Sequence, residues 1–224
     1  MNGVIGDILP LAVTVAISPL PIIAAILMLL SQRARANSVA FLLGWTLGVA
    51  VAATIFTLIS ALIDTGTGTA GPSVVVSVIK IVLGAVLIVT ALLQWGRRPR
   101  GDAQPTMPKW MSAIDGITAP KAAGLGFVLS AVNPKNLIMA VSAGVAVGTS
   151  GLAVGLQVIA VAVFVVIAIT TVAVPVVGYL VAADRIRAPL ERLRGWLTAN
   201  NSAIMSVLLL VIGVVSIGKG ISGL

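Results

Sequence analysis

Four consecutive residues in the middle of the chain, Asn133, Pro134, Lys135 and Asn136, carry the groups best suited to bind a ligand. They interrupt an apolar run over residues 122–147. Proline lacks a backbone N–H and clashes with the preceding turn, so a helix through this point is predicted to break. A lysine at the centre of a bilayer costs about 2.5 to 3.5 kcal/mol on insertion scales, which makes Lys135 a functional candidate.

Anion binding is the chemistry predicted for this motif. A broken helix exposes N–H groups with partial positive charge where its second half begins, and the ammonium group of Lys135 adds to that charge. The amides of Asn133 and Asn136 donate and accept hydrogen bonds, which suits a phosphate, sulfate, carboxylate or sugar hydroxyl group. The alternative interpretation is structural: the asparagines cap the broken ends, and Lys135 bonds carbonyl groups that Pro134 leaves free.

A second break is predicted 115 residues earlier, where a Ser-Pro-Leu-Pro segment at residues 18–21 interrupts the apolar run 8–30. Two broken helices in corresponding places of a membrane protein indicate a transporter's binding site. The predicted substrate-binding residues are therefore Ser18, Pro19, Pro21, Asn133, Pro134, Lys135 and Asn136.

The composition indicates an integral membrane protein. Of the 224 residues 59% are hydrophobic and only 9% are charged, whereas soluble domains carry roughly a quarter charged residues. The chain has no cysteine and no histidine, which excludes thiol and imidazole catalysis and Cys/His metal sites. We expect no cofactor, no bound metal and no nucleic-acid partner.

The predicted fold is all-α, a single transmembrane domain over residues 1–224 with six membrane-spanning helices. Their approximate bounds are 8–30, 38–63, 74–95, 122–147, 152–182 and 202–217. Three helices form each half, repeat A (1–100) and repeat B (122–224), joined by a cytoplasmic loop at 96–121. Because an odd number of crossings reverses direction, the halves are predicted to be inverted repeats, with helices 1 and 4 broken at the proline motifs.

The basic residues orient this arrangement. Eleven of the fourteen fall in the first, third and fifth loops, so these loops are predicted to be cytoplasmic and both termini to lie outside the plasma membrane. A surface helix is predicted over 184–197, and Pro175 is a second point where a kink is expected.

Lys80 in the third span and Gln157 in the fifth are further candidates for the pathway or for ion coupling. The alternative for Lys80 is that its stem snorkels to the interface. No carboxylate falls inside a predicted span, so the titratable group of a proton-coupled mechanism would be Lys135 or Lys80. Thr170 and Thr171 are expected to bond back to their own helix.

Catalysis is not expected, since the chain offers no carboxylate pair, and Ser130 or Ser142 with Lys135 is the only dyad to consider. Gly44 and Gly48 have GxxxG spacing, which lets another helix approach closely. That helix would belong either to the same chain or to a second copy in a homodimer.

At the two broken helices the sequence resembles the LysE superfamily of exporters. Residues 133–135 match the Asn-Pro-Lys of the fourth span in that superfamily, and residues 19–21 match its Pro-Gly-Pro except at Leu20. Leucine in place of glycine departs from the pattern of amino-acid exporters.

The segments 17–23, 33–37 and 41–45 more closely resemble the GAP family, whose members include sulfolipid- and glycopeptidolipid-addressing proteins. The resemblance implies movement of an envelope lipid or glycolipid with an anionic or sugar headgroup toward the cell surface. It also implies a homodimer and partner proteins in lipid export. Two alternatives stay open, a LysE-type exporter of a small amino acid or anionic metabolite and a non-transporting subunit of a lipid-export complex.

Overall fold

The computed structural model describes residues 1–64, 74–96 and 116–224, and every regular element in these ranges is a helix. Residues 97–115 of the predicted cytoplasmic loop lie outside the described residues. The helices are α1 (Asn2–Ala16), α2 (Pro19–Leu30), α3 (Ala34–Asp64), α4 (Val74–Gly96), α5 (Ala119–Ala131), α6 (Pro134–Gly148) and α7 (Val154–Ile221).

Most of these helices are apolar enough to cross a membrane. Within the described ranges, three segments pass by length and composition, Ala34–Leu62, Val154–Ala183 and Arg185–Ile221. The number rises to five if each of the bent pairs, α1 with α2 and α5 with α6, is one span. The chain is therefore a multi-pass membrane protein, and α4 is the remaining predicted span.

Both predicted helix breaks are confirmed. Ser18 and Asn133 are extended, and Pro19 and Pro134 are the first residues of α2 and α6. Proline is tolerated there because the first N–H groups of a helix have no intrahelical acceptor. The chain bends by 50° at the first break and by 62° at the second.

The prediction for the C-terminal helices is wrong in two respects. The helix α7 is kinked at Ala182, with φ −146° and ψ 55°, and Pro175 lies inside regular helix. The predicted surface helix 184–197 and last span 202–217 form one continuous helix, Arg185–Ile221. No glycine or proline separates them, and the Nδ2 of Asn200 donates to the carbonyl of Trp196 at 2.9 Å, so the polar residues there bond within the helix.

The described chain divides into two compact units, and α3 is central to the first, which comprises Met1–Gly66 and Met107–Gly195. A Cβ atom added at Gly44 or Gly48 would collide with α5, and one added at Gly126 would meet the backbone of α3 at Phe41. The GxxxG pair is thus used for packing inside the chain, so it no longer supports a homodimer.

The helix α3 runs parallel to both halves of the second bent pair. Gly44 faces Ala123 of α5, and further along α3 Thr57 faces Gly144 and Gly148 of α6. Only residues 31–33 join α2 to α3, so the chain reverses direction there. The two bent pairs therefore run in opposite directions.

The second unit comprises Thr67–Thr106 and Trp196–Leu224. In it α4 and the end of α7 are antiparallel. The hydroxyl of Ser206 donates to the carbonyl of Ala91, Gly84 and Gly213 lie against each other, and Gly220 faces the carbonyl of Ser77. Small residues thus allow close helix contact in both units.

We predict that Gly126→Ala lowers stability by about 1 to 3 kcal/mol, because the added methyl group has no room against α3. The matched control is Gly124→Ala on the same helix, where a Cβ meets nothing within 4 Å. The measurement is the free energy of unfolding in mixed detergent micelles. Equal effects of the two substitutions would contradict the close α3–α5 contact.

Candidate functional site

The first break leaves carbonyl groups of α1 without their helical donors. The N–H of Ser18 donates to the carbonyl of Ala16 at 2.8 Å, so it does not reach Thr14 as it would in a continuous helix. Pro19 has no N–H to donate to Val15. In an apolar medium each unsatisfied carbonyl costs several kcal/mol, so this end of α1 must find other donors.

Lys135 supplies one of them. Its side chain is 5% exposed, and its Nζ donates to the carbonyl of Thr14 at 2.7 Å. The two predicted breaks therefore meet, since α6 begins at the second break and α1 ends at the first. Within the described part of the chain this partner is neutral, and two of the three N–H groups of the ammonium are left to bind a ligand.

The two asparagines cap the broken helices, as the structural interpretation predicted. The Oδ1 of Asn133 accepts from the N–H of Lys135 at 3.1 Å, and the Nδ2 of Asn136 donates to the carbonyl of Leu129 at 3.1 Å. In a continuous helix the carbonyl of Leu129 would have accepted a hydrogen bond from the backbone N–H of Asn133. That interpretation assigned the carbonyls freed by Pro134 to Lys135, which is wrong, because Lys135 reaches across to α1.

Asn136 also has an unused acceptor. Its side chain is 2% exposed, and its Oδ1 has no hydrogen-bond partner among the described residues. Buried polar atoms are normally paired, and an exception calls for an explanation such as an absent ligand. Asn136 and Lys135 are adjacent in the first turn of α6, so this turn carries both an unused acceptor and unused donors.

The prediction that Thr171 bonds back to its own helix is wrong, and its contribution to the site was therefore missed. Its hydroxyl donates to the carbonyl of Ala16, the last residue of α1. The neighbouring Thr170 behaves as predicted and bonds Ile167 of its own helix at 2.8 Å. A stripe of buried residues marks the inner face of α7, and Thr171 lies beside it; the stripe is Ala160, Phe164, Ala168, Val172 and Val176.

The residues of the first motif lie at the start of α2. Ser18, Pro19 and Pro21 are buried, and Ser18 makes no side-chain capping bond. They shape the break, whereas the polar side chains that meet there come from α6 and α7.

The remaining polar candidates are Gln157, Lys80 and Ser130. The Nε2 of Gln157 donates to the carbonyl of Leu152 just before its own helix, and Lys80 belongs to the second compact unit. The hydroxyl of Ser130, one half of the Ser/Lys dyad, donates to Phe127 and packs on Gly48. A pathway role for Gln157 or Lys80 stays a prediction.

Two discontinuous helices meet at a buried lysine in a chain of apolar helices, and this defines a multi-pass membrane protein with two broken helices. Residues 8–222 match the family model described as Sap, sulfolipid-1-addressing protein, and the chain belongs to that family. This match confirms the predicted resemblance to the lipid-addressing proteins. No curated protein and no solved structure matches the chain.

We predict that Thr171→Val destabilises the protein by about 0.6 kcal/mol and at most about 1.7, the range for interhelical hydrogen bonds in membranes. Valine keeps the shape of threonine but cannot donate to Ala16. Thr170→Val, which removes only a bond within α7 on an exposed face, is the control and is expected to be nearly neutral. Unfolding in mixed micelles measures both, and equal losses would contradict the role of Thr171.

Proposed function

We propose that this protein moves a lipid with an anionic or sugar headgroup across the plasma membrane toward the cell surface. The observation that carries the proposal is the buried side chain of Lys135, whose Nζ has a neutral partner where two broken helices meet. Burying a charge without an opposite charge is costly, so a site that keeps one is suited to a ligand that supplies the missing charge. Membership of the Sap family supports a sulfated lipid as the substrate class.

The polar groups at the break can recognise such a headgroup. The two free N–H groups of Lys135 suit the oxygens of a sulfate or phosphate ester, and the Oδ1 of Asn136 can accept from a sugar hydroxyl. Both α2 and α6 begin at a break, so their N-terminal dipoles also favour negative charge. The acyl chains would remain in the bilayer beside the apolar outer faces of the helices.

Substrate binding can change the helix contacts directly. The bond from Lys135 to Thr14 and the bond from Thr171 to Ala16 together fix the end of α1. An anion that attracts Lys135 competes with the Thr14 carbonyl, which is the weaker partner because it carries only a partial charge. Headgroup binding therefore releases one of the two bonds that hold α1, which couples binding to helix movement.

An inverted repeat of six spans would provide alternating access. Three features support it. The two bent pairs run in opposite directions, and α4 packs antiparallel to the end of α7. The second break, at residues 133–136, lies 115 positions after the first, at residues 18–21. With the basic loops inside, both termini lie outside.

The test is headgroup translocation in proteoliposomes that contain a sulfated lipid. We predict that Lys135→Ala reduces the rate at least about tenfold, the loss expected for one hydrogen bond to a charged group, and that Lys135→Arg retains part of it. Lys135→Gln separates charge from structure, because it removes the charge but keeps a neutral donor and most of the side-chain length. It should lower translocation as Lys135→Ala does, with a smaller loss of stability.

Lys121→Ala is the control for a lysine lost from an exposed position, on α5. Wild-type translocation by Lys135→Ala would contradict the proposal. If that variant is active in cells while substitutions at other positions of the 96–121 loop, away from the control residue Lys121, abolish function, the protein is a non-transporting subunit of an export complex. Efflux of a small amino acid or anionic metabolite without lipid movement would identify a LysE-type exporter.

A further inference from the structure

A groove of about 720 Å³ lies at the other end of α2, away from the break, within the first compact unit. The turn between α2 and α3 forms one wall, and α7 on either side of its kink at Ala182 forms the other. Its described lining residues are Leu29, Leu30, Ser31, Gln32, Arg33, Ala34, Arg35, Ala36, Tyr179 and Arg187.

The groove is strongly basic. Three of the lining residues, Arg33, Arg35 and Arg187, are exposed arginines, and none of the described lining residues is acidic. The Nε of Arg187 lies 3.8 Å from Glu191, but both side chains are more than half exposed. Such surface pairs contribute little, so Arg187 can exchange this partner for a ligand.

The arrangement of the arginines is that of a binding site for a tetrahedral anion rather than of a generally basic surface. Arginines reach the groove from two parts of the chain more than 150 residues apart, and each guanidinium offers two parallel donors to sulfate or phosphate oxygens. Tyr179, which carries a phenolic hydroxyl, and residues 34–36 in the first turn of α3 also line the groove.

The surroundings fit an amphiphile. Leu29 and Leu30 contribute an apolar part of the lining. Val181 is 82% exposed and Leu180 is exposed as well, so α7 carries exposed apolar side chains within one helical turn of Tyr179. A headgroup bound to the arginines can thus keep its acyl chains on an apolar helix face, which a free anion does not need.

We propose that this groove binds the anionic headgroup, a sulfate or phosphate ester, of the lipid to be moved, before that headgroup reaches Lys135. The loading role rests on the proposed function. The helix α2 joins the two places, and its 12 residues span about 18 Å. By the positive-inside rule, under which basic loops are cytoplasmic, the groove faces the cytoplasm. This is the side from which an exported lipid would arrive.

Binding is tested by native mass spectrometry of the full chain in detergent with sulfatide, phosphatidylglycerol or phosphatidylcholine. We expect Arg33→Gln with Arg35→Gln, and separately Arg187→Gln, to weaken retention of both anionic lipids at least about tenfold and to leave phosphatidylcholine unchanged. Arg187→Lys should recover only part, because lysine keeps the charge but not the two parallel donors. Arg192→Gln is the matched control, an exposed arginine of the same helix that does not line the groove.

Equal loss in Arg192→Gln would overturn the site, because total charge would then explain binding. Displacement of sulfatide by inorganic sulfate at a comparable concentration would overturn the assignment to a lipid, since a free anion would suffice. Translocation that is unchanged in the groove variants but lost in Lys135→Ala would overturn the loading role and leave the proposed function standing. Lipid retention that depends on these arginines, in a wild type that translocates nothing, would refute the proposed function alone and keep the binding site.

Discussion

The interaction on which the described site depends is the hydrogen bond from Lys135 to the carbonyl of Thr14. A helix that stops inside an apolar medium leaves carbonyl groups that water cannot satisfy, and each must find a donor in the protein. Here the donor is the buried ammonium group of Lys135, at the start of the second half of the other broken helix. The free carbonyl of α1 and the buried ammonium group therefore satisfy each other. The lysine has enough N–H groups to cap α1 and still bind a ligand.

Close packing around α3 makes this arrangement possible. Glycines at the crossings with α5 and α6 remove the side chains that would keep the backbones apart, and the second bent pair follows α3 along its length. In a bilayer, where lipid tails are as apolar as leucine, such van der Waals packing and interhelical hydrogen bonds replace the hydrophobic effect as the force between helices. The position of Lys135 thus depends on small residues of α3, α5 and α6 that let these helices pack closely.

Charge is distributed differently at the two ends of α2. At the break a single buried lysine lies in an apolar environment, where its electrostatic interactions are strong. At the groove three exposed arginines are in contact with water, which weakens their electrostatic interactions. In the proposed route, a lipid headgroup would first bind the exposed arginines of the groove. It would then reach Lys135, whose hydrogen bond to Thr14 holds the end of α1.

The sequence by itself determined which helices break and where, because proline chemistry is local: Pro19 and Pro134 lack the N–H that a continuous helix requires. It also identified Lys135 as the exceptional residue, since a charge in an apolar run is costly wherever the chain folds. Only the tertiary structure decided the partners. The bonds to Thr14 from Lys135 and to Ala16 from Thr171 cross more than 120 residues, and Gly44 could have met α5 or a second chain with the same local pattern. Spacing along a helix tells which face a residue occupies, whereas the neighbour on that face depends on how distant helices pack.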